Sequence, residues 1–170
     1  WKKVYEIPKG TKTSKGRAVQ NLITIEPGAT VRAIINVKNL TDENYINNNF
    51  VILCTEKGII KKTSLEAYSR PRQGGINSIS IHEGDRLLNA SLTNGNNHII
   101  IAKSEGKAVH FNEQDVRPMG RTAAGVRAVR LESEADKVIG MVCINREDAN
   151  LLVVSENGYG KRSLIDDYRI

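Results

Sequence analysis

Apolar side chains gather along the chain in short runs rich in β-formers, Phe50 to Thr55, Ile99 to Ile101 and Leu151 to Val154, each followed by a polar turn and a second run. A glycine stands at the head of every second run, in Gly58-Ile59-Ile60-Lys61-Lys62-Thr63, Gly106-Lys107-Ala108-Val109-His110-Phe111 and Gly158-Tyr159-Gly160-Lys161-Arg162-Ser163. Run, glycine turn and run predict the same β-hairpin in each place. A shift of about 48 residues lays the first copy on the second, and one of about 100 lays it on the third, bringing Leu65 onto Ile165 and Tyr68 onto Tyr168. Periods of roughly 40 to 50 residues with several strands per unit signal a radial β architecture rather than one irregular sheet.

Later parts of each copy fill out the unit. After the hairpin at Phe50 to Thr63 comes a long connector, Ser64 to Gly75, with Leu65 and Tyr68 as anchors. Ile76 to Ile81 then reads as a third strand and Leu87 to Leu92 as a fourth, around a Glu83-Gly84-Asp85 turn. The next copy has its connector at Asn112 to Gly125 and strands at Val126 to Leu131 and Val138 to Ile144. Trp1 to Val37 reads as a partial copy without its first strand, closing on strands near Val19 to Ile25 and Val31 to Val37. Lys38 to Asn49, rich in Asn, predicts a surface loop, and no segment shows sustained helical periodicity. The expected fold is all-β: four-stranded antiparallel blades in an incomplete propeller-like disc, with a partial blade at 1–37, blades at 50–93 and 98–144, and the start of another at 150–170. The absence of an initial Met and the stop in mid-repeat suggest a piece of a longer protein.

Charge adds direction to this picture. Lys and Arg number 25 against 19 acids, net +6 with a pI near 9.4, which suits a polyanionic partner. The basic residues concentrate in the connectors, whereas Glu83, Asp85, Glu134 and Asp136 mark the turns between later strands. If the disc puts those turns on an opposite edge, its field admits a polyanion from one side; the plain alternative is that the acids only form turns. Two cysteines, Cys54 and Cys143, each in an apolar run, indicate neither a disulfide framework nor a zinc site and fit a reducing cytosol. No apolar stretch has the length of a membrane span.

Val116-Arg117-Pro118-Met119-Gly120-Arg121-Thr122-Ala123-Ala124-Gly125-Val126-Arg127, Glu156-Asn157-Gly158-Tyr159-Gly160-Lys161-Arg162, Lys3-Val4-Tyr5-Glu6-Ile7-Pro8 and Lys61-Lys62-Thr63-Ser64-Leu65 stand in an order that resembles the C-terminal DNA-wrapping domain of the bacterial DNA gyrase A protein. The resemblance spans the chain. It implies a β-pinwheel, a disc of six four-stranded blades with strand exchange between neighbours, that bends duplex DNA around a basic rim. It also implies partnership with the rest of the gyrase A protein and with the gyrase B protein, within a cytoplasmic, nucleoid-associated type II topoisomerase that hydrolyses ATP elsewhere. About three blades are present here. The family's Gln-Arg-Arg-Gly-Gly-Lys-Gly box is absent, and Arg72-Gln73-Gly74-Gly75 is a degenerate echo of it. The related domain of topoisomerase IV also lacks that box and is the alternative relative.

Binding any DNA sequence requires Lys and Arg spaced along the phosphate ladder. The expected DNA-binding residues are Lys12, Lys15, Arg17, Lys61, Lys62, Arg70, Arg72, Lys107, Arg117, Arg121, Arg127, Lys161 and Arg162. Strand alternation suggests that of two adjacent basic residues such as Lys61 and Lys62 at least one reaches solvent. Contacts to roughly six phosphates would give log affinity a slope of about −5 against log salt. The competing reading of these residues is an ordinary solvated blade edge. Gly58, Gly106 and Gly158 read as positive-φ turn residues rather than phosphate cradles, and Tyr68, Tyr168 and Tyr159 as packing residues. His82, His98 and His110 fall in unrelated repeat positions without metal-ligand spacing. No catalytic grouping, metal site or cofactor site is expected in this chain. A propeller-type protein-interaction scaffold is the other functional class, but aromatic residues are few while basic connectors recur.

Overall fold

The computed structural model describes residues 1–72, 74–146 and 148–168, and among them nine strands form: β1 (Phe50–Thr55), β2 (Ile59–Ser64), β3 (Leu87–Thr93), β4 (His98–Lys103), β5 (Ala108–Asn112), β6 (Val126–Arg127), β7 (Val138–Ile144), β8 (Asn150–Val154) and β9 (Gly160–Leu164). Gln73 of the degenerate box and the last two positions of the third repeat lie outside the described residues. Each expected hairpin is present: β1 with β2, β4 with β5, and β8 with β9, all antiparallel. Gly58, Gly106 and Gly158 have φ of 81°, 81° and 82°, and their amides return to the carbonyls of Thr55, Lys103 and Ser155 at 3.1, 3.1 and 2.9 Å. The three turns are therefore the same turn, and each needs a residue without a Cβ.

A third strand extends the hairpin in each of the first two repeats. β3 pairs with β1 and β7 with β4, and both pairings slip at equivalent points, between Cys54 and Thr55 and between Ala102 and Lys103. β3 and β7 also lie against each other. The first sheet runs β3-β1-β2-β6 and the second β5-β4-β7. Because β6 follows the connector of the second repeat and pairs with Ile59 and Ile60 of the first, the fourth strand of one blade is donated by the next.

That exchange accounts for three departures from the sequence reading. Ile76 to Ile81 forms no strand: it occupies the repeat position of β6, and the residues before it offer no β2-like edge to receive it. Val19 to Ile25 and Val31 to Val37 likewise lack partners; the first contains only a 3-10 turn at Val19–Asn21. Backbone amides without a neighbouring strand have no ladder to join. Val126 to Leu131 is a strand only at β6, after which the amides of Ala128 and Val129 both converge on the Gly58 carbonyl. In Lys38 to Asn49 a short helix, α1 (Glu43–Asn47), replaces the expected loop, its start capped by the Asp42 carboxylate accepting from the Tyr45 amide at 3.1 Å.

The core is divided between blades. Ile52, Cys54 and Ile60 from the first sheet meet Ile99, Ile101, Val138 and Met141 from the second, with Val129. The opposite face of the first sheet, Val51 and Leu53, packs on Leu65, Tyr68 and Ile46. A smaller cluster of Ile100, Ile144 and Ile165 joins the second repeat to the third. With both faces covered, β1 from Val51 to Thr55 is buried without alternation.

Candidate nucleic-acid interface

The first two connectors leave their hairpins through the same device, which the third lacks because Leu164 stands at the capping position. At Ser64 and Asn112 the side-chain oxygen accepts from the amide two residues on, Glu66 or Gln114, opening a one-turn 3-10 helix. The next amide, Leu65 or Glu113, donates at 2.8 Å to Asn49 or Asn97 before the hairpin. Beyond this turn the second connector runs along the outer edge of the first blade. Pro118 lies parallel to Lys62, the Met119 amide donates to the Lys62 carbonyl at 2.7 Å, and β6 closes on Ile59 and Ile60. Gly125 makes the close approach possible, since a Cβ there would sit 2.5 Å from the Ile60 carbonyl oxygen, and its φ of 103° also favours glycine.

This path sets out Arg117, Arg121 and Arg127 along one blade edge, Arg117 and Arg127 exposed and Arg121 half-buried. Arg70 and Arg72 are exposed on the first connector, at the repeat positions of Pro118 and Gly120. The segment that follows the first connector, Ile76 to Ile81, meets the second connector where the Ser80 hydroxyl donates to the Thr122 carbonyl at 2.7 Å and the Ser80 amide donates to the Ala123 carbonyl at 3.3 Å. Among the described residues none of the five arginines enters an ion pair, whereas Arg86, Lys103, Lys107 and Arg146 are paired with acids.

Other predicted contacts fall elsewhere. Lys61 and Lys62 are both buried, at 0 % and 4 % exposure, which overturns the expectation that one must reach solvent. Alternation leaves one face free only in a sheet covered on a single side, and this sheet is covered on both. The Lys61 amine donates to the carbonyls of Ser78, at 2.6 Å, and Arg121. Burial, with the Arg121 charge adding to it, lowers its pKa to about 8. The Lys62 amine lies over the Phe50 ring at 4.5 Å, donates to the Glu113 carbonyl at 3.1 Å and stands 3.6 Å from the Glu113 carboxylate. Lys107 sits at a hairpin turn and is held at 2.7 Å by Glu132, away from the connectors. Lys161 and Arg162 are exposed on β9, but they occupy the positions of Lys61 and Lys62; a further repeat docked as the second docks on the first would cover them. Lys12, Lys15 and Arg17 are exposed in a strandless segment whose hydrogen bonds are local, and nothing among the described residues joins them to the arginine edge.

Two of the turn acids are tied into their own turns. Asp85 accepts from the amides of Lys57 and Arg86, and Asp136, 3 % exposed, takes bonds from Lys103, Ser104 and the Glu132 amide. Burial pushes the Asp136 carboxyl up, but those bonds together hold it below the usual carboxylate value. These turns lie beside the hairpin turns, where Lys57 reaches the Glu83 carbonyl at 3.4 Å. Tyr68 packs, at 4 % exposure, and Tyr168 joins the smaller core, while Tyr159 is 82 % exposed and does not pack. His98 and His110 are not unrelated in space: their rings share a 2.9 Å hydrogen bond, and His110 also contacts the Tyr168 carbonyl. Burial pushes the Cys54 and Cys143 thiols up to about 12 and about 11, which disfavours the thiolate at both. Glu113 escaped the sequence reading. Its signal was present, because it stands where the other copies carry Leu65 and Ile165.

Residues 49–94, 98–145 and 149–170 each match the family described as DNA gyrase C-terminal domain, beta-propeller. The chain belongs to that family. Among similar proteins, the DNA gyrase A protein of Chlamydia pneumoniae is 40% identical over 171 residues, covering 99% of this chain and 20% of that protein. The DNA gyrase A protein of Salmonella typhimurium is 39% identical, covering 99% and 18%. The chain thus spans about a fifth of the curated relatives it matches. A solved topoisomerase IV C-terminal domain superposes with a TM-score of 0.81 at 25% identity, over 96% of this chain and 49% of that one. A DNA gyrase A C-terminal domain gives 0.76 at 27%, over 92% and 50%. This gyrase-family domain is accordingly a β-pinwheel with open sheets, about half the length of the solved domains, and its exchanged strand β6 is the pinwheel's link between blades.

Proposed function

We propose that this gyrase-family domain binds duplex DNA without sequence preference and bends it along the outer edge of its blades, serving the gyrase A protein of a type II topoisomerase together with the gyrase B protein. The observation that carries this is the run of arginines without an ion pair among the described residues, Arg70 and Arg72 on one connector, Arg117 and Arg121 on the next, and Arg127 just past it, on segments that the Ser80–Thr122 bond brings together. Such an array meets phosphates and reads no base edges. With Lys61 and Lys62 withdrawn from the surface, roughly five contacts remain, giving a salt slope of about −4.5. Duplex shift assays across salt test it: Arg72→Ala and Arg117→Ala should each flatten the slope by about 1 and weaken unrelated sequences equally. Binding that ignores salt would defeat the proposal. The topoisomerase IV domain is a second reading, supported by the 0.81 superposition; the full-chain identity of 40% to a gyrase A protein favours gyrase.

A further inference from the structure

Lys61 is the largest fully buried side chain that carries a charge, and the phosphate contacts of the proposed function do not use it. Its stem rises from β2 opposite Leu53, and its amine ends between the Ser78 carbonyl, in the segment that follows the first connector, and the Arg121 carbonyl of the second connector. Two residues past Ser78, Ser80 makes the other bridge between these segments, to Thr122 and Ala123. Both bridges end on main-chain carbonyls, so the clasp holds their backbones and leaves the arginine side chains free to face outward. An ammonium withdrawn from water is costly unless its protons find acceptors, and two carbonyls drawn from different repeats supply them here.

Resting on the DNA-binding reading, we propose that Lys61 and Ser80 are positioning residues that clasp the segment after the first connector to the second connector, set the distance between the arginines of neighbouring blades, and so set the curvature imposed on the duplex. DNA bending persists only when contacts continue along the bent path. Loosening the clasp therefore lowers bending while the number of phosphate contacts stays the same. A surface arginine does the reverse: its loss removes a contact and leaves the spacing of the others intact.

The test compares the unaltered chain with Lys61→Met, Ser80→Ala and Arg72→Ala. Two quantities are read: the salt slope of duplex affinity, and the linking-number change per bound chain when nicked circular DNA is ligated. Lys61→Met keeps most of the length of the buried stem, and Ser80 is exposed, so Ser80→Ala probes the clasp without entering the core. The expected result is the slope of the unaltered chain, to within about a third of one contact, for both clasp variants, and a linking-number change smaller by at least about half for Lys61→Met, less for Ser80→Ala. Arg72→Ala should instead flatten the slope by about 1. Unchanged bending in both clasp variants overturns the proposal, as does a loss of bending matched by a loss of slope. Failure of Lys61→Met to fold, with Ser80→Ala bending normally, makes Lys61 a fold determinant and overturns it too. If the unaltered chain shows no salt-dependent binding, it is the DNA-binding reading that fails, and the clasp's role falls with it.

Discussion

Lys62 and Glu113 join two repeats through charges that water does not reach. Glu113 also accepts from Thr93 Oγ1 at 2.6 Å and the Asn97 amide at 2.8 Å, so its removal strands these two donors and takes the counter-charge from Lys62. Glu113→Leu, which installs the residue of the first repeat, should cost about 3 to 5 kcal/mol in urea unfolding because Lys62 is left buried without its counter-charge. Lys62→Met made on top should recover a part of that loss and not all, since Thr93 and Asn97 stay unpaired. Lys61 gives the pH signature. Its folded pKa of about 8 lies below the ordinary 10.5, so between these values the unfolded chain holds a proton that the folded chain has shed. Stability from this group should therefore rise with pH across that window, and be lowest below pH 8. The urea midpoint of the unaltered chain, measured relative to Lys61→Met, should climb from pH 8 to 10.5. At this scale the sequence was a poor guide for the paired lysines, because exposure depends on how many faces of a sheet are covered, a fact of the assembly. The arginines were easier to place. A connector along a blade edge keeps one side in solvent, where Arg70, Arg72 and Arg117 stand, even though Glu113 at the start of the second is buried.

Among the elements, hairpins were legible because every determinant is local: two apolar runs and a glycine that adopts positive φ. The exchanged strand was not. β6 is two residues long and takes its identity from an edge far away in sequence, so Ile76 to Ile81, with a stronger strand pattern, remains unpaired while Val126 and Arg127 pair. Gly125 marks that junction. Gly106→Ala should cost about 1 to 2 kcal/mol, the strain of a left-handed residue alone, since open space surrounds its Cβ position. Gly125→Ala should cost about 1 to 3 kcal/mol more, because the new methyl meets the Ile60 carbonyl and the Ile59 side chain, and it should detach β6. Hydrogen exchange at the Ile59 to Lys61 amides reports the second effect. Equal losses in the two variants would contradict the close approach.

For the molecule as a whole, the repeat period was enough to give the radial class, and the resemblance supplied the exchange that the period could not. Smoothly bending a site of 20 to 30 base pairs by 40 to 90° costs on the order of 1 to 6 kcal/mol, offset only by contacts along the arc. This chain has about half the length of the solved domains it resembles and offers a shorter arc. It should bind duplex DNA and bend it modestly, and in ligation of nicked circles shift the linking number less per bound molecule than a complete domain does; an equal shift would count against the arc. The donated strand has a last consequence, for the order of events during synthesis. As the chain leaves the ribosome, β2 emerges with one edge bare and stays so until Val126 and Arg127 follow, a template on which any passing strand could settle. Lys61 and Lys62 ride on that strand. Before they become buried ties between blades they are two adjacent charges on a naked edge, which discourages the wrong partner while the right one is still being made.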